Sequence, residues 1–310
     1  MADTDLEPDL PDGGDSARGR SRPDLSVVVI ALGNPVSLVG AVKSIRTQDT
    51  RAEVVVVNSG GGDAAGSLRA AGLDVEVIEQ AERLFPGGAR NLGIAAATGK
   101  FIAFLAADCL AEPGWVSRRL VAHYAGAPAV GSALLCHRPS SAVAMAAHLS
   151  LFYRRMPRIP PPWALAYGAS YQRPLFEEFG LFREDLEGGE DTEFHLRLPA
   201  WAKPIWCPEI RTIHFGSESL GEFCRDQFKR GRRAAEAWRR IDNSDPRAFA
   251  RGVLERIGHT LSLAVRLAEP KQRLAATLAL PLILLGGVVY AAGAWLAGNP
   301  NRDREPAPKR

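Results

Sequence analysis

The sequence predicts an α/β protein built on a mostly parallel sheet. Three observations predict it: β-branched runs that do not alternate with polar residues, a helical pattern between the first two, and short polar loops that close them. Ser26-Val27-Val28-Val29-Ile30-Ala31 and Glu53-Val54-Val55-Val56-Val57 are the clearest runs. A strand covered on both faces has no polar side to show, so alternation disappears.

The first run ends in Leu32-Gly33-Asn34-Pro35, and Val39, Val42 and Ile45 then recur at helical spacing. The second closes in Asn58-Ser59-Gly60-Gly61-Gly62-Asp63. Val75-Glu76-Val77-Ile78 reads as a third strand and Gly87 to Ala97 as a helix of small residues. Phe101-Ile102-Ala103-Phe104-Leu105 reads as a fourth strand running into Ala106-Ala107-Asp108. Ligands on such sheets bind beyond the carboxyl ends of the strands, which makes Asn34, Asn58 and Asp108 candidate contacts. The second half is less regular. A stretch with Pro157, Pro160, Pro161 and Pro162 precedes Tyr167-Gly168-Ala169-Ser170, and Gly188-Gly189-Glu190-Asp191 opens a helix through Leu198. Leu220, Cys224, Phe228, Ala235 and Trp238 form the apolar face of a later helix. Its other faces carry Arg225, Lys229, Arg230, Arg232, Arg233, Arg239 and Arg240.

A chain of 310 residues with 46% hydrophobic and 24% charged residues has room for a real core, which excludes a disordered chain and a disulfide-stapled miniprotein. The net charge is +3, but residues 1–24 hold seven acids against three arginines, so 35 basic groups face 28 acidic ones in the remainder. That surplus is too dilute for nucleic-acid binding and suits phosphorylated substrates beside anionic lipid. Cys109, Cys136, Cys207 and Cys224 show no CxxC pairing and read as reduced thiols. The first 24 residues lack a basic region followed by an apolar run, so they read as a disordered polar leader rather than a signal peptide. The expected layout is that leader, an α/β domain over 25–245, an amphipathic connector over 246–273, a membrane segment over 274–298 and a basic tail over 299–310.

Leu274 to Gly298 contains no charged residue, and these 25 positions reach across a hydrocarbon layer of about 30 Å at about 1.5 Å per residue. Tyr290 and Trp295 suit an interface, and Pro281, Gly286 and Gly287 permit a kink. Basic residues flank both ends, so charge does not choose an orientation. Two forms stay open: a transmembrane helix, or a re-entrant segment bending near Pro281 to Gly287. Either would bring Val253 to Leu267 close to lipid.

From about Leu25 to about Arg233 the order of landmarks resembles the family 2 glycosyltransferases, whose catalytic domain has the GT-A fold. The landmarks are the opening strand with Asn34 and Gln48, the strand end Asn58-Ser59-Gly60, the signature Arg90-Asn91-Leu92-Gly93, the strand that delivers Ala106-Ala107-Asp108, the pair Glu190-Asp191, and His214 after a further strand. Asp108 matches the second acid of the family's metal motif; Ala106 replaces the first. The resemblance implies a divalent cation, Mg²⁺ or Mn²⁺, held by Asp108 and His214. It implies donor contacts at Asn34, Asn58, Arg90, Asn91 and Asp108, and a catalytic base at Asp191 beside Glu190. Each residue alone has a plainer reading: Asp108 as a turn residue, Glu190 and Asp191 as helix-start acids, His214 as a core imidazole, Arg90 as a solvated side chain. Gln227-Phe228-Lys229-Arg230-Gly231 falls where processive synthases of the family carry Gln-x-x-Arg-Trp, with Gly231 in place of the Trp.

The function expected from the resemblance is inverting transfer of a sugar from a nucleotide-diphosphate donor to a hydroxyl of a lipid-linked or glycan acceptor. The setting would be surface polysaccharide or glycolipid assembly at the cytoplasmic face of the cell membrane. Tyr167-Gly168-Ala169-Ser170 is expected on the acceptor side. The alternative is a catalytically silent relative that binds nucleotide sugar or scaffolds an active transferase, since Ala106 and Asn58 stand where acids are usual. A nicotinamide-dependent dehydrogenase is disfavoured, because the first strand does not end in GxGxxG.

Overall fold

The structure is a computed structural model that describes residues 23–165 and 170–297. In chain order the elements are β1 (Leu25–Leu32), α1 (Ser37–Arg46), β2 (Glu53–Ser59), α2 (Ala64–Ala70), β3 (Glu76–Gln80), α3 (Pro86–Ala96) and β4 (Phe101–Ala106). They continue with β5 (Cys109–Ala111), α4 (Trp115–Tyr124), β6 (Ala129–Cys136), α5 (Ala142–Phe152), β7 (Ser170–Gln172), α6 (Pro174–Phe179), α7 (Glu190–Arg197) and β8 (Ile205–His214). Three long helices follow: α8 (Leu220–Asp242), α9 (Pro246–Leu267) and α10 (Arg273–Ala297).

One sheet runs in the order β3-β2-β1-β4-β7-β6-β8-β5. The β3-β2-β1-β4 half is parallel throughout. Beyond β4 the sheet is mixed, because β7 runs antiparallel to β4 and β6, and β5 antiparallel to β8. Val27, Val29, Val54 and Val56 pack under Leu38, Val42 and Ile45 of α1, while Val28, Val57, Ile102 and Phe104 pack under Ala89 and Ile94 of α3. This two-sided cover is the reason the valine runs carry no polar alternation. Each such fully buried side chain contributes roughly 1.5–3 kcal/mol of transfer free energy.

A separate core ties the C-terminal helices to the sheet domain: Met145 and Leu149 of α5 and Phe223 of α8 pack with Ala276, Ala279 and Ile283 of α10. Helix α10 runs unbroken through Pro281, without the bend that the re-entrant form, one of the two left open, would place near Pro281 to Gly287. It is long and apolar enough to cross a membrane by length and composition. Gly231 of α8 lies directly against α10, since a Cβ there would overlap the Tyr290 carbonyl. The same space explains why this position is not the Trp of the processive pattern: α10 fills it. Gly231→Val should therefore destabilise the protein by about 1–3 kcal/mol through overpacking, measured as a lower urea midpoint; an unchanged midpoint would contradict this packing.

Candidate active site

Strand ends and pairings assemble the site. Asp108 occupies the two-residue turn between β4 and β5, with the Ala107 amide donating to the Ile30 carbonyl at 3.0 Å and the Phe215 amide to the Asp108 carbonyl at 2.9 Å. Cys109 is the register partner of His214 in the β5–β8 ladder. The turn therefore brings Asp108 beside the imidazole, with Oδ2 3.6 Å from Nε2. Burial holds His214 below the usual imidazole pKa, against the pull of the Asp108 carboxylate, and leaves the ring neutral near neutral pH with a lone pair available. Among the described residues, Asp108, Cys109 and His214 offer ligand atoms within 4.8 Å of one another. One carboxylate and one neutral imidazole fit a divalent cation whose remaining positions go to diphosphate oxygens and water. The Cys109 thiol, pushed up by burial and by Asp108, stays protonated and adds no charge.

At α7, Gly189 sits at φ 88°, a left-handed turn that a side chain would strain, and the helix starts at the next residue. Glu190 points inward, 5% exposed, and forms an ion pair with the Arg90 guanidinium. That guanidinium lies over the rings of Phe104 and Phe182 at 5.4 and 5.3 Å. Burial opposes both charges of the pair; Glu190 and Asp191 outweigh it on Arg90, whose pKa is raised, whereas the Glu190 carboxyl is lifted by burial against the pull of Arg90. Half-buried Asp191 accepts from the Thr192 amide at 2.8 Å and faces open space. Glu190 thus anchors the start of α7 to α3, and Asp191 is left to the cavity.

That cavity, of about 300 Å³, has Asp108 and Asp191 on its walls together with Arg90, Cys109, Arg155, His214 and Arg230. Asp108 also borders two neighbours. One, of about 370 Å³, lies over the β1 and β4 ends and is lined by Leu32, Ser59, Arg83, Glu187 and Arg233. The other, of about 520 Å³, is lined by His214, Arg225, Asp226, Lys229 and Arg230. Arg83 and Arg233 both contact Oε1 of Glu187, at 3.1 and 3.0 Å.

The amides expected to touch a donor are otherwise employed. Asn58 is fully buried: Nδ2 donates to the Gly61 carbonyl at 2.9 Å and to Glu79 at 2.8 Å, and Oδ1 accepts from the Asn34 amide at 3.0 Å. Both amide hydrogens are spent, so the residue braces the loop and has no donor left for a base. Asn34, at φ 52°, spends Nδ2 on the Asp63 carbonyl and the Ser67 hydroxyl. Asn91 donates to the Phe182 carbonyl at 2.9 Å and to Glu184, and accepts from the Phe182 amide at 3.1 Å. It welds α3 to the segment before α7. Ser170 is buried against Arg119 and His123, at 3.0 and 2.8 Å, so it is part of the scaffold. Tyr167, Gly168 and Ala169 lie outside the described residues.

Arg155 escaped sequence reasoning. It follows α5, is 9% exposed, and makes one hydrogen bond, to the Ser132 carbonyl at 3.3 Å, with Nε unpaired. Burial lowers its pKa to about 10, countered first by Asp191, so the cavity keeps a positive wall at neutral pH. No local pattern marks Arg155, because its burial is created by β6 and β5, which are distant in sequence.

Residues 26–167 match the model of glycosyl transferase family 2. The chain is 29% identical over 254 residues to the pre-mycofactocin glycosyltransferase of Mycobacterium tuberculosis, covering 76% of this chain and 52% of that protein. It is 32% identical over 188 residues to the succinoglycan biosynthesis protein ExoO of Rhizobium meliloti, covering 54% and 53%. The chain thus spans about half the length of the curated relatives it matches. Among solved structures, the mannosyltransferase PcManGT of Pyrobaculum calidifontis, in complex with GDP-Man and Mn²⁺, superposes with TM-score 0.51 at 19% identity over 89% of this chain and 75% of that one, which shows a shared GT-A fold. The segment that matches glycosyl transferase family 2 runs from β1 through α5 and carries Asp108.

Proposed function

We propose that the chain transfers a sugar, with inversion, from a nucleotide-diphosphate donor to an acceptor hydroxyl. The observation that carries this reading is the single cavity onto which Asp108 and Asp191 both open. Asp108 and His214 would hold the divalent cation, which supplies charge neutralisation for the diphosphate. The donor nucleotide suits the adjoining cavity over the β1 and β4 ends, where Arg83 and Arg233 stand by. Asp191 takes the proton of the acceptor hydroxyl as that oxygen bonds to the anomeric carbon. The bond from that carbon to the β-phosphate oxygen breaks with its electron pair left on the nucleoside diphosphate. Arg155 and Arg90 keep the surrounding field positive as that charge grows.

The PcManGT complex with GDP-Man and Mn²⁺ supports a nucleotide-sugar donor only as a fold relative. The part ExoO takes in succinoglycan biosynthesis favours a glycan or lipid-linked acceptor, and a cytosolic donor favours work at the cytoplasmic face of a membrane. The test is turnover of a panel of nucleotide sugars with Mg²⁺ or Mn²⁺ by the full chain. Donor cleavage or transfer that Asp191→Asn removes supports the reading. Nucleotide binding without turnover in the parent would favour the silent relative, for which the missing first acid at Ala106 is the motive.

A further inference from the structure

Helix α10 distributes its residues in inverted order of size. The buried side facing α5 and α8 is made of Ala276, Ala279, Gly286, Ala291, Gly293 and Ala294, with Ile283 the bulky exception. The opposite side carries Leu274, Leu278, Leu284, Leu285, Val288 and Trp295, which are 40–74% exposed. At about 100° per residue they fall within one sector of roughly 120° and form one stripe, about 30 Å long at about 1.5 Å per residue. A helix facing water would place its large aliphatic groups inward, where burial stabilises most. A continuous apolar surface of this kind marks contact with lipid or protein.

Charge selects lipid. Arg266, Lys271 and Arg273 are exposed at the start of the stripe, and at its end Arg247 lies over the Trp295 ring at 5.3 Å. Basic groups at both ends, one stacked on an interfacial aromatic, complement anionic headgroups along the whole helix. Packing then sets the orientation. Over residues 286–294 the backbone of α10 abuts Phe223, Phe228 and Gly231 of α8. The same helix α8 presents Arg225, Lys229 and Arg230 to the cavity beside Asp108. An α10 standing across the bilayer would drag those cations into hydrocarbon, which is costly.

We infer that α10 lies in the plane of an anionic membrane surface, its leucine stripe sunk into one leaflet, and does not span it. The inference is independent of sugar transfer at the cleft. Single cysteines at positions 274, 285 and 296 of the full chain, each labelled with an environment-sensitive fluorophore and read against the labelled parent, test it with nitroxide lipids that quench at different depths. The expected result is at least tenfold stronger binding to vesicles of phosphatidylcholine with phosphatidylglycerol than to phosphatidylcholine alone, and the same shallow depth for all three labels. The double variant Leu284→Glu, Leu285→Glu should bind at least tenfold more weakly while melting at the parental temperature. A label at 285 lying deep while those at 274 and 296 lie shallow would establish a span and overturn the inference. Failure to bind anionic vesicles would overturn it too, including the case where the chain is a dimer that masks the stripe.

Discussion

Asp191→Asn is expected to lower the transfer rate by roughly 10²–10⁴-fold, the usual contribution of a positioned general base. The exchange removes proton affinity and leaves shape. The carbonyl oxygen of the introduced amide would still accept from the Thr192 amide, and Glu190 would still hold Arg90, so the start of α7 stays in place. Nucleotide binding, proposed to draw on Asp108 and the cavity beyond it, should be preserved. Stabilisation of the folded protein by UDP or GDP with Mn²⁺ measures this, since a ligand of the native state raises the melting temperature by mass action. A variant that keeps a tenth or more of the parental rate would remove Asp191 from the chemistry.

Asp108→Ala should act earlier in the cycle. The residue borders three cavities and supplies the one carboxylate of the cluster with His214 and Cys109. With Ala106 two positions before it, no second acid of the motif shares the load. Loss of cation-supported charge stabilisation is expected to cost about 3–4 kcal/mol in the transition state, or roughly 10²–10³-fold in rate. Its side chain is 53% exposed, so removal leaves no cavity in the core and stability should be unaffected. EDTA should reduce the parent to the level of the variant and leave the variant unchanged. If Asp108→Ala keeps a full response to EDTA, the cation binds elsewhere.

The parallel half of the fold is legible because valine and isoleucine announce strands wherever they cluster. The other half is not. β6 is Ala-Val-Gly-Ser-Ala-Leu-Leu-Cys, a sequence with little strand preference, and its pairing with β8 is broken by a register shift at Ser132/Ala133. β7 has three residues and exists because β4 and β6 flank it. In the site, Asp108 and His214 can be named from the order of landmarks, and the β5–β8 register places them together. Asn34, Asn58 and Asn91 read as ligand contacts in the sequence because amides at strand and helix ends serve ligands and loops alike. Only the partners decide, and here these are backbone carbonyls and neighbouring side chains. Arg155 is invisible for the complementary reason: its role comes from where distant strands bury it.

The core formed by Met145, Leu149, Phe223, Ala276, Ala279 and Ile283 bears on how the sheet domain could be prepared in soluble form. Cutting the polypeptide after residue 245 is the obvious way to remove α9 and α10 and spare the sheet domain. It would instead strip the cover from three large apolar side chains on the elements next to the cleft, and the shortened product should aggregate during purification. Detergent or added lipid around the intact polypeptide is the physically sound route to active material.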